Sequence, residues 1–522
     1  MRLLTFLAAM ALPTAVHAAE WREAETTHFR IMSAGAEKDL VKFAERLEQF
    51  HTLLRMATGA NENGLRIVKV RVVLMPSATE VERLYGADDK GVLGFYSPRE
   101  EGPVAVVPTS TDGFSLSAQQ VLFHEYAHHY MLQYSPVAYP AWYVEGFAEI
   151  TSTASFDRPG TISYGKAAVH RKGELETRRY PTAKMVDGSY VKEGDGRPWS
   201  YGDAWLVTHY LTFADKRRGQ LRAYLDAING GQPLEQAAKV FGDLTELQRE
   251  VSIYFAGRSF PYRAVPLPAG AAGEIKVRQV PADEASLIET QVELGRRLRL
   301  PNKADEEAEQ QNGKAKPPEK DYATRLAEAR AQRDQWLTQL ETQVASTPGS
   351  VHGWRLLADA RCAAEQHEAC LAAADRALGL VPDDPRAQVR KAQAMMALAK
   401  DLPADQRKAR VTEARTMAAN VMNANPADPV SRFVFYRSYA AEGRKASPVG
   451  VKALVEAVHL VPRLDGPRLI LASELASLGQ IEEARAVLRP LAFDPHGRGS
   501  AAAARGMLAK LDTMGPTPPT QP

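Results

Sequence analysis

Ser117-Ala-Gln-Gln-Val-Leu-Phe-His124-Glu125-Tyr126-Ala127-His128-His-Tyr-Met-Leu-Gln133 is the stretch on which the reading of this chain turns. Its spacing predicts a helix over 117–133. His124 and His128, at i and i+4, fall on one face about a turn apart, so both imidazoles reach a single zinc ion. Glu125 follows the first histidine but is rotated about 100° around the helix. It is placed to touch a water at the ion rather than to ligate. Zinc lowers the pKa of such a water toward about 7, and a carboxylate beside it takes the proton as the water attacks a carbonyl. With 12 histidines in 522 residues, chance occurrence of this five-residue pattern is of order one in a hundred.

Working outward, Tyr134-Ser-Pro-Val-Ala-Tyr139 reads as a turn and Pro140 as the opening of a second helix, where a missing N–H costs nothing. That helix, 141–153, carries Glu145 and Glu149 on one face. Folded back on the first, it supplies an acidic ligand to complete a His₂Glu set and leaves a fourth position for water. Periodicity alone does not choose between the two glutamates. Gly146 lets these two helices approach closely. Further on, Ser200-Tyr201-Gly-Asp-Ala-Trp205 opens a helix with a tyrosine at its start.

His-Glu-x-x-His followed by Trp142-x-x-Glu145-Gly146-x-Ala-Glu149 resembles the gluzincin metallopeptidases, and the segment around it is similar to the peptidase MA-like domains related to the aminopeptidase N family. The resemblance implies that Glu145, 17 residues after His128, is the third zinc ligand. Glu149 is then a residue that orients a histidine, or a plain structural ion pair. Tyr201 resembles the catalytic tyrosine of those relatives, whose hydroxyl donates to the oxyanion of a tetrahedral intermediate. The Gly-Ala-Met-Glu-Asn segment that holds a free amino end in that family is absent, as is its large N-terminal β domain. The resemblance covers about residues 21–260 and implies zinc peptide hydrolysis without aminopeptidase specificity.

Composition sets the frame. Sixty-five Lys and Arg against 63 Asp and Glu leave a formal charge of +2, which offers no strongly basic field for a phosphate backbone. Nucleic acid is therefore not expected. Two cysteines exclude a four-thiolate metal site. Met1-Arg2, an apolar run over 3–12 and Val16-His17-Ala18 have the form of a secretory signal over 1–18. The run falls well short of the roughly 20 residues of a membrane span. The expectation is an exported protein, periplasmic or secreted, with no membrane span.

The fold class expected is an α+β zincin-like domain over 19–261, with a small mixed sheet plus active-site helices, followed by an all-α tetratricopeptide-like solenoid. Strands are predicted at 28–32, 65–75, 91–96 and 104–107, the last two as an antiparallel pair; either is a candidate edge for an extended substrate. Helices are predicted at 36–56, 201–214, 220–228, 233–241 and 244–255. Residues 262–320 read as a linker with one helix near 286–298 and a charged flexible run, 515–522 as a disordered tail.

From 321 to 514 a repeat emerges. Trp354, Leu357, Ala358, Cys370, Ala374, Ala377 and Pro382 fall at tetratricopeptide spacing, and closing prolines recur at Pro426, Pro462 and Pro495, at intervals of 44, 36 and 33 residues. Four stacked hairpins with a concave groove for a protein partner follow. Cys362 and Cys370 read as two small buried residues, with a disulfide as the alternative in an oxidising compartment. His129 is expected on a backbone partner, His209 in the core, and Arg158–Arg197 as a solvated loop. The leading expectation is one zinc ion held by His124, His128 and Glu145, with Glu125 and Tyr201 as the catalytic residues. The alternative is an interaction scaffold whose zinc domain is catalytically silent.

Overall fold

A computed structural model describes residues 20–86, 91–109, 117–191, 198–303, 306–307 and 318–513. The signal segment 1–18, the tail 515–522, most of the charged run 301–320 and residues 192–197 of the arginine-rich segment lie outside the described residues. The chain is mostly helical, 64%, with a small mixed sheet.

Nine strands are present among the described residues: β1 (Arg22–Glu25), β2 (Phe29–Ser33), β3 (Val70–Met75), β4 (Phe95–Ser97), β5 (Val104–Pro108), β6 (Ser155–Arg158), β7 (Thr161–Tyr164), β8 (Arg263–Pro266) and β9 (Lys276–Gln279). Six form one sheet in the order β4-β5-β3-β2-β1-β9, and β6-β7-β8 form a second. β2, β3 and β5 run parallel at the centre, while β1, β9 and β4 are antiparallel to their neighbours.

The expected strand from Leu65 starts only at Val70, which pairs with Phe29, the first residue of β2. Before it Lys69 turns aside to Glu25 Oε1, 2.7 Å away. Likewise the strand expected from Gly91 is confined to Phe95–Ser97, the residues with partners on β5. β4 is an edge strand as anticipated. β5 is not, being flanked by β3 and β4. The stretch read as linker after Tyr262 supplies β8 and β9, which close the edges of the two sheets. Their short, largely exposed sequences carry little apolar signal, and their pairing partners lie more than a hundred residues away.

Helices α1 (Glu37–Thr58), α2 (Ala78–Tyr85), α3 (Ala118–Tyr134) and α4 (Ala141–Ser152) follow the order of the chain. α3 starts on a capping box in which Ser117 accepts from the Gln120 N–H and Gln120 from the Ser117 N–H. Both otherwise orphaned donors are thereby satisfied. One face of α3, through Leu122, Phe123, Tyr126 and Tyr130, is buried against α1 and the sheet, with the Phe50 and Phe123 rings stacked at 3.9 Å. Each such aromatic contributes about 1.5–3 kcal/mol by burial. The opposite face, carrying His124 and His128, turns to α4.

Two short helices, α5 (Lys172–Thr177) and α6 (Thr182–Asp187), lead to α7 (Tyr201–Phe213). α4 and α7 pack so closely that a Cβ on Gly146 would stand 2.5 Å from the Ala204 carbonyl oxygen. The close approach at Gly146 is therefore to α7 and not, as expected, to α3, because the Gly146 face of α4 lies against Ala204 and Thr208. The single helix expected over 233–241 divides into Leu234–Ala237 and a 3₁₀ turn over Ala238–Phe241.

Beyond Tyr322–Ala345 come four antiparallel helical hairpins: Val351–Ala363 with His367–Leu380, Pro385–Leu398 with Ala404–Ala424, Pro429–Ala441 with Pro448–Leu460, and Asp465–Ser477 with Ile481–Ala492. Arg498–Thr513 packs on the last. Pro382, Pro426, Pro462 and Pro495 each lie just past the second helix of a hairpin, where proline cannot continue the helix. Cys362 and Cys370 are both buried and joined in a disulfide. The reading as two unlinked small residues is thus corrected. The two positions face each other across one hairpin, with their Cα atoms 5.1 Å apart, well inside bridging range.

Candidate metal centre

α3 brings His124 and His128 to one point, with their Nε2 atoms 3.1 Å apart. Glu145 of α4 places Oε2 3.4 Å from each. A tetrahedral ion with bonds of about 2.0–2.1 Å has ligand-to-ligand edges of about 3.3–3.4 Å. The three atoms therefore match one face of a zinc tetrahedron, and their two-nitrogen, one-carboxylate chemistry suits that ion. Glu145 is fully buried.

Glu149 lies one helical turn further on and makes both kinds of contact weighed from the sequence. Its Oε1 accepts from His124 Nδ1 at 3.3 Å and from Arg171 Nη2 at 2.7 Å. Its Oε2 accepts from His170 Nε2 at 3.0 Å. Arg171 is therefore not part of a solvated loop: it also lies over the Tyr201 ring, 4.4 Å from its centroid. Tyr201, the first residue of α7, sets its ring edge-on to His124 with centroids 5.9 Å apart.

These contacts bias protonation. Burial works against the His124 imidazolium, but the bonds to Glu145 and Glu149 outweigh it and push the group up to about 10. Burial holds the His128 ring below the ordinary histidine range. For Glu125 burial acts upward, yet the His128, His124 and Arg463 charges prevail and hold its carboxyl low. Glu125 is ionised at neutral pH as a result.

Other histidines are accounted for. His129 is buried, but its partner is a side chain: the Tyr96 hydroxyl donates to Nδ1 at 2.8 Å. The backbone carbonyls of α3 are committed to the helix itself, so the ring turns to β4. Burial pulls His129 down to about 3. His209 is a core residue as expected, donating to the Gly165 carbonyl at 2.8 Å and accepting from Tyr254. A second group, His28, His51 and Glu62, also has ligand-type atoms close together. There His28 Nδ1 bonds Glu48, and His51 bonds Tyr126 through Nδ1 and Glu62 through Nε2.

Three residues of the site carry no signal in the sequence, and two of them come from the helical array. His496 donates from Nε2 to Glu145 Oε1 at 3.0 Å, and Arg463 places Nη1 3.8 Å from Glu125 Oε2. Neither carries a spacing signal that links it to α3. His170 lies 21 residues from Glu149 and was equally silent.

No family model and no curated protein matches the sequence. Among solved structures the chain is similar to a thermophilic TPR protein from Thermus thermophilus, with 17% identity over 36% of this chain and 92% of that one and a TM-score of 0.30. Among the described residues, no helix is long and apolar enough to cross a membrane.

Proposed function

We propose that the protein is a zinc-dependent peptidase in which His124, His128 and Glu145 hold one ion, Glu125 is the general base and the substrate is a protein or peptide. The observation that carries the proposal is the triangle of ligand atoms, with edges of 3.1, 3.4 and 3.4 Å. When bound there, zinc supplies a Lewis acid that polarises a carbonyl and acidifies water. Glu125, with the Arg463 guanidinium 3.8 Å from its Oε2, accepts the proton of the attacking water. Glu149 fixes which nitrogen of His124 faces the ion by accepting from the other. Tyr201, against His124, donates its hydroxyl to the oxyanion. The edge strand β4 offers backbone for an extended substrate. The helical array is read as a tetratricopeptide-like surface for a protein partner. The Cys362–Cys370 disulfide supports placing the protein outside the reducing cytosol, in the periplasm or secreted.

A second reading is an interaction scaffold with a silent metal domain. It is favoured by the cavity beside His128, Arg463 and His496, which has a volume of only about 20 Å³ and leaves no room for a peptide. The two readings separate in one experiment: zinc stoichiometry of the purified chain, with cleavage of an unbiased peptide library by wild type and Glu125→Gln. One zinc per chain and cleavage abolished in the variant is the expected result. Equal cleavage by both, or none by zinc-loaded wild type, refutes the peptidase and leaves the scaffold.

A further inference from the structure

The turn Phe493–Gly497, after the last hairpin of the array, lies directly against the metal centre. Glu145 uses its two oxygens differently. Oε2 faces both histidines, while Oε1 accepts from His496. The His496 ring also meets His128 edge-on, with centroids 5.3 Å apart. The docking around it is extensive: Phe493 packs on the core of the first unit, Gln133 at the end of α3 donates to the His459 carbonyl at 2.8 Å, and Arg463 stacks on Tyr96 of β4 at 4.8 Å.

We propose that the helical array completes the metal centre, with His496 a positioning residue that holds the Glu145 carboxylate in its ligating posture from the far side. A buried ligand carboxylate bonded on its second oxygen cannot swing away from the ion, and loss of such an outer partner typically costs 10–100-fold in metal affinity. The turn that carries His496 is then one wall of the cleft, and a substrate reaches the ion only when that wall moves. The inference rests on the proposed metal centre.

The test is zinc affinity of the full chain by chelator competition, together with the visible spectrum of the cobalt-loaded protein. His496→Ala is expected to bind zinc roughly 10–100-fold more weakly and to alter the cobalt spectrum. His496→Gln, whose amide also donates at that reach, is expected to restore both. Wild-type affinity in His496→Ala overturns the inference, and so does equal weakening in both variants with a lowered melting temperature, which assigns His496 to packing. If wild type binds no zinc, or Glu145→Gln binds it normally, the failure lies with the metal centre itself.

A separate observation carries a second proposal. Between the β2–β3–β5 sheet and the starts of the helices Pro385–Leu398 and Pro429–Ala441 lies a cavity of about 380 Å³, lined by seven cationic side chains and two carboxylates, Glu101 and Asp428. Carboxylates from behind offset part of this charge: Glu25 pairs with Lys69, and Asp359 with Arg386 and Arg390. The Arg71 side chain has no hydrogen bond or ion pair among the described residues, and that of Arg99 contacts only carbonyls, its buried Nε unpartnered. Arg71 also stands in register beside Arg30 of the parallel neighbour β2, whose guanidinium lies 3.7 Å from Glu25. Burial and the Arg386 and Arg99 charges draw the Arg71 guanidinium down to about 10.

We infer that this cavity binds a small organic dianion, a phosphate monoester or a dicarboxylate, through Arg71, since a guanidinium fork binds either group in bidentate fashion. Melting of the full chain with inorganic phosphate or succinate, at constant ionic strength in chloride, tests it. Wild type is expected to melt higher with at least one of the two, the better one identifying the class. Arg71→Gln is expected to melt higher than wild type without anion and to lose the response. No response in wild type, or an undiminished response in Arg71→Gln, overturns the inference.

Discussion

Glu149→Gln isolates the charge that backs the proposed metal centre. The amide keeps the shape of the side chain and one acceptor oxygen, so His124, His170 and Arg171 retain their neighbours. What is lost is the negative charge, and with it roughly half the strength of each charge-assisted bond. Removing an outer partner of a ligating histidine lowers metal affinity about 10–100-fold, which is about 1.4–2.8 kcal/mol at 1.4 kcal/mol per decade. The folding cost is smaller. Arg171 is 21% exposed and keeps Glu174 at 3.0 Å, so it is not stranded; about 1 kcal/mol is expected rather than the ~3–5 kcal/mol of an orphaned buried ion. Zinc affinity by chelator competition and melting in the presence of chelator separate the two quantities. A variant that binds zinc like wild type, while Glu145→Gln does not, refutes the role assigned to Glu149.

Four further expectations follow from other parts of the chain. Gly146→Ala forces α4 away from the Ala204 carbonyl and is expected to cost about 1–3 kcal/mol, read as a fall in melting temperature together with weaker zinc binding; an unchanged melt refutes the close approach. Tyr201→Phe is expected to lower kcat about 10²–10³-fold with KM little changed, and full activity removes the tyrosine from the oxyanion role. Reducing the Cys362–Cys370 bridge, which spans eight residues, is expected to destabilise the array by about 2–3 kcal/mol, seen as a lower urea midpoint in thiol reductant. Burial and the nearby Asp494 push Asp465 up to about 6. The folded chain then holds a proton that the unfolded chain releases, so stability falls as pH rises from about 4 to about 6. Asp465→Asn is expected to match wild type below this window and melt higher above it.

The parts of the site that were legible are those written within a few turns of one helix. His124, Glu125 and His128 are fixed by helical geometry alone, and Glu145 and Glu149 by a second helix folded back across a short turn. Side chains that arrive from elsewhere leave no such mark. Arg171 stands in a run of basic residues whose composition is that of any solvated surface, and only the fold reveals that it turns inward to Glu149. His496 and Arg463 sit in turns of the array with the same composition as its other turns. The cysteine spacing was compatible with bonded and free states, since both place two small side chains in one hairpin. β8 and β9 read as linker because an exposed edge strand of four residues has no alternation to recognise. The repeat, by contrast, was visible because its prolines and small residues recur at each hairpin.

The bond between Gln133 and His459 joins residues 326 positions apart, and this separation has a consequence for biosynthesis. At a ribosomal rate of about 5–20 residues per second, α3 is complete roughly 16–65 s before the segment that covers it has been made. During that interval the nascent chain carries its histidine pair and base without their opposing wall. A chain cut short in the array keeps the motif but lacks the wall, so the full set of contacts around Glu145 certifies that translation has passed His496.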